Sequence, residues 1–348
     1  MNSNYKSQYL DVLQVFRGIA ALMVVLHHSI GSIRYYHKIE YPFLNYVAYI
    51  GKFGVDFFFV LSGFIITYSA FYKYNEPKSF SNYIKNRLIR IYVPYLPIGI
   101  FMLMFYSLLP SYSNGNRVIS VLTSLTLIPE GRPALSVAWT LSYELCFYLL
   151  FSISFFSKRA WNCFVLIWFT SIIIFTYSSF SSLQFLKIPF FRTVFSHYNF
   201  EFILGFVLAL LVVRKIRLPI IPVFSLLLLA LMSFFYCTFT HLKLFAFDVN
   251  LLFAIVAFLS IFIVASVGNF KINKESVLML VGNATYSIYL IHNPLQMILI
   301  RFFPKINSIV SVIVALVLAL VFSCAIGFGY YLVFEKRAIH LIKSKLIK

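Results

Sequence analysis

Residues 12–29 read VLQVFRGIAALMVVLHHS, and this stretch decides how the rest of the chain is read. Apart from Gln14, Arg17 and the closing His27, His28 and Ser29, it is apolar or glycine, with the length and composition of a membrane-crossing helix. His28 follows Arg17 by eleven positions. At about 100° per residue, eleven residues return nearly to the starting angle, so the two side chains share one helix face, roughly 16 Å apart along the axis. A permanent cation and a titratable imidazole therefore point the same way within a span. Ionisable groups there cost roughly 2.5 to 3.5 kcal/mol each on insertion scales, and they usually face a bundle interior or a wet cavity. The alternative is that Arg17 snorkels to one interface while His28 sits near the other end. The pair alone does not separate these readings.

The surrounding composition has the same character. Of 348 residues, 61% are hydrophobic, 20% aromatic and 11% charged, and the mean hydropathy is +0.89. A soluble domain of this length is far more polar, so the expected fold is an all-α, polytopic transmembrane bundle forming one domain over residues 1–348. The first apolar run holds Arg17 and lacks a small-residue cleavage pattern, so it reads as a span and not as a removable leader. Apolar windows of spanning length fall near 11–32, 48–72, 88–109, 136–156, 160–180, 197–213, 218–237, 247–268, 278–303 and 308–334, about ten spans. Punctuated connections separate them, among them Tyr74 to Lys78, Ser113 to Asn116, Ser157 to Arg159, Arg214 to Arg217 and Asn269 to Lys274. No internal repeat is visible.

The net charge of +19 does not imply nucleic acid, because the basic residues are spread through short loops and not gathered in one domain. They report topology instead. The tails and even-numbered connections carry nearly twice as many Lys and Arg as the odd-numbered ones, which predicts that both termini are cytoplasmic. Arg17 then lies in the cytoplasmic half of the first span and His28 in the outer half. Such a path suits an anionic cytosolic donor entering past arginines and an outward-facing acceptor meeting it at His28. Cys146, Cys163, Cys237 and Cys324 are scattered singly, with no metal-ligand spacing, and no metal is expected.

Six further groups of polar residues interrupt the spans. His27 lies about 100° round the helix from His28 and reads as a packed or interfacial neighbour. Asp56, between Gly51-Lys52-Phe53-Gly54-Val55 and a run of phenylalanines, sits near the outer end of span two. It is either an interfacial carboxylate or the group that orients His28. Gly54 and Gly63 suit close helix contact. Glu144 follows Trp139 and Tyr143, which suit an interface belt, but it lies deeper than a belt explains. Arg87 and Arg90 lie one turn apart at the start of span three, either as positive-inside anchors or as bidentate phosphate ligands. In span nine, Gly282 to Pro294 concentrates polar groups including His292, which reads equally as a packed network; Glu201 reads equally as an interfacial charge.

Taken together, these segments resemble the acyltransferase-3 family of integral membrane O-acyltransferases, in particular its exopolysaccharide- and O-antigen-acetylating members. The resemblance rests on Arg17 and His28 within Phe16 to Ser29, on Gly54 to Gly63, on Arg87 to Pro94, on Trp139 to Glu144 and on Tyr286 to Pro294, in the family's order. Two positions depart from the pattern: Lys336 replaces the proline often found after the glutamate at 335, and Asn293 replaces the commoner aromatic after His292. The resemblance implies transfer of an acyl group, usually acetyl, from cytosolic acyl-coenzyme A to a hydroxyl of a glycan or glycolipid, by a multi-pass protein of the cytoplasmic membrane. It implies His28 as the main catalytic residue, Arg17 as its partner on the donor path, and Asp56 and Glu144 as further site residues. The expected mechanism holds the coenzyme A phosphates at Arg87 and Arg90 and uses His28 as a base on the acceptor hydroxyl, or as a nucleophile that carries the acyl group. The rival class is a proton-coupled transporter, since buried Arg, His, Asp and Glu also build proton relays, although such proteins often show inverted repeats.

Overall fold

A computed structural model describes residues 3–112, 118–177, 183–216, 218–240, 249–267, 272–304 and 306–346, with the side chains of 3–10 excluded. The expected connection at 113–116, the first part of that at 269–274 and Arg217 lie outside the described residues. Among the described residues, sixteen α-helices joined by short 3-10 turns and one π turn account for most of the backbone, and there is no β-strand. Among the described residues, eight helical segments are long and apolar enough to cross a membrane. The other two expected spans are a shorter apolar helix at Tyr198–Val213 and a helix pair interrupted at Ala284.

The chain forms two compact units, each discontinuous in sequence: residues 1–68 with 204–329, and residues 69–203 with 330–348. The first is organised around α1 (Ser3–His37), a single uninterrupted helix that carries both Arg17 and His28. Against it lie α2 (Pro42–Gly51) and α3 (Gly54–Ala70). The backbone approach is very close: a Cβ at Gly54 would stand 2.4 Å from the carbonyl oxygen of Ala20, so only glycine fits. Helices α4 to α9 belong to the second unit.

On returning to the first unit the chain forms most of α10 (Tyr198–Val213), α11 (Ile220–Thr240) and α12 (Val249–Val267). It then forms α13 (Val277–Asn283), α14 (Thr285–Arg301) and α15 (Ile309–Tyr330). Val12, Leu13, Val60, Phe64, Leu208, Ala257 and Ile261 interlock in its main apolar core. Side chains that are apolar on every face of α12 and α15 suit helices set among other helices and lipid. Pro294 removes one backbone donor from α14, and the helix continues through it.

The second unit is built on α4 (Pro77–Leu108), a long helix with Pro94 and Pro97 inside it. It also holds α5 (Val121–Thr126), α6 (Trp139–Phe151), α7 (Ile153–Phe156), α8 (Lys158–Tyr177) and α9 (Pro189–Val194). A cluster of large aromatic side chains, Phe147, Phe151, Phe155, Trp161, Trp168 and Phe202, fills its centre. Tyr95 donates to the carbonyl of Ser124, and Tyr330 to that of Pro94, pinning α4 to its neighbours at 2.6 and 3.0 Å. After the π turn at Tyr331–Glu335 the basic helix α16 (Lys336–Leu346) packs on α4.

Candidate active site

In the first unit, α14 brings two polar residues onto His28. The amide nitrogen of Asn293 lies 3.3 Å from Nδ1 of His28, and the rings of His28 and His292 stand 5.2 Å apart, centre to centre. His292 is completely buried. Its Nδ1 donates to the carbonyl of Ile288 at 3.2 Å, one turn back, while its Nε2 is buried with no hydrogen-bond partner. Four residues on, Gln296 donates to the carbonyl of Val25 at 3.1 Å, which ties α14 to α1 one turn below His28. His27 points elsewhere and donates from Nδ1 to the carbonyl of Ala48 at 2.7 Å, the packed role its angle on the helix predicts.

Arg17 is half-buried on the same helix and donates to Gln14 at 2.7 Å; Gln14 in turn donates to Asn283 at 3.3 Å. The guanidinium is thus held by a network that runs through Gln14, one turn back on α1, to Asn283 at the break between α13 and α14. Gln14 was legible in advance as a polar residue three positions from Arg17 in an apolar run.

Asp56 is 2% exposed, deeper than an interfacial carboxylate, and accepts a hydrogen bond from Asn250 at 2.9 Å. Both belong to the first unit, but the side chain seen on the His28 ring is Asn293. No local pattern marks Asn250, which is almost two hundred residues away in sequence.

Glu144 lies in the second unit and joins the arginine pair there. It accepts the hydroxyl hydrogen of Tyr148, whose ring lies 5.4 Å from the Arg87 guanidinium carbon. Tyr83 faces Arg87 at 5.7 Å and donates to the backbone of Tyr148 at 3.1 Å. Arg87 also donates to Ser69 at 3.0 Å. The guanidinium therefore lies over two tyrosine rings and donates to a hydroxyl, a setting that lysine does not reproduce.

Beside it is a cavity of about 270 Å³ lined by four cations, Lys73, Arg87, Arg90 and Lys343, with no carboxylate among its lining residues. Like charges gathered without counter-charge suit a polyanion. Sequence reading found the two arginines but not Lys73 or Lys343, which reach the cavity from a 3-10 turn and from α16. Glu201, read as an interfacial charge, is 2% exposed, because the α10 helix start is packed within the aromatic centre. Among the described residues no cluster of three metal-ligating side chains occurs.

A family model described as an acyltransferase domain matches residues 9–328. No curated protein and no solved structure matches the chain significantly.

Proposed function

The chain belongs to the acyltransferase-3 family of membrane acyltransferases, and from that premise we propose that it moves an acyl group, acetyl by preference, from acyl-coenzyme A to a hydroxyl of a surface or lipid-linked glycan. The observation that carries this reading is the pairing of His28 with His292 and Asn293 inside a unit of membrane-spanning helices. A buried imidazole with positioned polar neighbours is the arrangement a base needs to take a hydroxyl proton.

In this reading the coenzyme A phosphates bind Lys73, Arg87, Arg90 and Lys343 in the cation-lined cavity. Arginines there supply bidentate hydrogen bonds as well as charge. Glu144 acts through Tyr148, holding the ring against which Arg87 stacks. Arg17, oriented by Gln14, is a further cation within the first unit. His28 withdraws the proton as the hydroxyl oxygen attacks the thioester carbonyl, the carbon–sulfur bond breaks, and the thiolate leaves and regains a proton. A positioned base of this kind is worth about 10²- to 10⁴-fold in rate. The protein sits in the cytoplasmic membrane with both termini inside, as the loop charges favour.

Mass spectrometry of surface and lipid-linked glycans from cells with and without the protein tests the reading. A mass difference of one acetyl unit on a glycan is the expected result. Identical glycan masses, with no coenzyme A thiol released by the purified protein, would overturn it.

A further inference from the structure

The tautomers of the two facing imidazoles follow from their partners. The amide nitrogen of Asn293 carries only hydrogens, so Nδ1 of His28, 3.3 Å away, accepts, and the proton of the neutral His28 ring is on Nε2. A backbone carbonyl only accepts, so Nδ1 of His292, 3.2 Å from the Ile288 oxygen, carries the proton of that ring, and Nε2 is a bare lone pair. That lone pair is buried without a donor. One ring thus has an N–H to give and the other a lone pair to receive it. The ring centres stand 5.2 Å apart, close enough for a ring-to-ring N–H···N hydrogen bond that is not made in the resting geometry.

Leaving a buried acceptor without a donor carries a desolvation cost, which a partner met during function would relieve. The hydrogen bond of the His292 Nδ1 is to its own helix.

We propose that His292 is the positioning partner of His28: its Nε2 receives the His28 ring hydrogen, fixes the tautomer with Nδ1 unprotonated, and holds the imidazolium that forms when His28 takes the acceptor's proton. This rests on the acyl-transfer reading above. In the step itself the hydroxyl O–H bond breaks and its proton goes to Nδ1 of His28, displacing the Asn293 amide as donor there. The oxygen bonds to the acyl carbon as the carbon–sulfur bond breaks, and Nδ1 returns the proton to the departing thiolate. As the imidazolium forms, its Nε2 hydrogen comes to be shared with His292. The arrangement has the logic of a triad in which a neutral imidazole takes the place usually held by a carboxylate. Such a neutral acceptor fits a membrane interior, where a second ionised group is costly.

The test uses the full chain reconstituted in liposomes, with acetyl-coenzyme A as donor, glycolipid extracted from the host membrane as acceptor, and thiol release as readout. His292→Phe should lower kcat roughly 10²-fold with KM for acetyl-coenzyme A unchanged, whereas His292→Gln, which restores an acceptor near the Nε2 position, should recover most of the loss. Unchanged kcat in His292→Phe, or equal loss in both variants, would overturn the proposal. Nitrogen-15 spectra of histidine-labelled wild-type protein give an answer that needs no turnover. The expected pattern is His28 protonated at Nε2 and His292 at Nδ1, and a His28 proton found on Nδ1 would reject the assignment. If wild type releases no thiol, the acyl-transfer reading fails while the spectra still decide the imidazole pair.

Discussion

A methyl group at Gly282 would stand 2.1 Å from the carbonyl oxygen of Gln14, so α13 meets α1 backbone against backbone. That contact sets Asn283 beside Gln14 and, through it, orients Arg17. Gly282→Ala should therefore force the helices apart and lower stability by about 1–3 kcal/mol. Gly31→Ala on the same α1 meets nothing within 4 Å and serves as the control. Thermal unfolding in detergent checks this, and equal midpoints for the two variants would contradict it.

His28→Ala should abolish acetyl transfer, by about 10² to 10⁴ in rate, while insertion and yield stay at wild-type levels. Thiol release by purified protein, alongside its elution profile in detergent, measures both. Full activity in the variant would remove His28 from the reaction.

Arg87→Ala and Arg90→Ala should raise KM for acetyl-coenzyme A, and the fold increase over wild type should shrink at higher salt, because screening weakens the charge attraction that the variants remove. Arg87→Lys should recover little, since a point charge lacks the planar face that lies 5.4 Å from Tyr148 and 5.7 Å from Tyr83. Initial-rate kinetics at two ionic strengths distinguish these outcomes. A lysine variant indistinguishable from wild type would show that charge alone matters there.

Asn250→Leu should cost about 1–3 kcal/mol, because the buried Asp56 carboxylate loses a donor placed at 2.9 Å. Asn250→Asp should be worse, setting two carboxylates together. Exchanging the pair, Asp56→Asn with Asn250→Asp, should recover part of the loss. Melting temperatures of the three variants provide the comparison, and additive losses in the exchanged pair would argue against direct coupling.

The helical, membrane-spanning character of the chain is legible from local pattern because hydropathy acts over a window no longer than one helix. The uninterrupted α1 with Arg17 and His28 on it follows from residues 12–29 for the same reason. So do Arg87 and Arg90 as a pair one turn apart. The broken span at 277–301 is harder, since Ala284 is an ordinary helix residue and the interruption depends on how Gly282 seats against α1.

Side-chain partnerships across hundreds of residues have no local signature. Asp56 is legible as a polar residue in an apolar span, but its bond to Asn250 arises from packing α3 near α12. Glu144 and Arg87 read as parts of different devices until folding sets Tyr148 between them. Asn293 reads as a departure from a pattern, yet it is the residue whose amide reaches His28. Periodicity and composition act through the solvent each residue prefers, which a single segment already senses. Which imidazole faces which, and which nitrogen bears the proton, depends on hydrogen bonds a few ångströms long between helices distant in sequence, and these exist only once the bundle has closed.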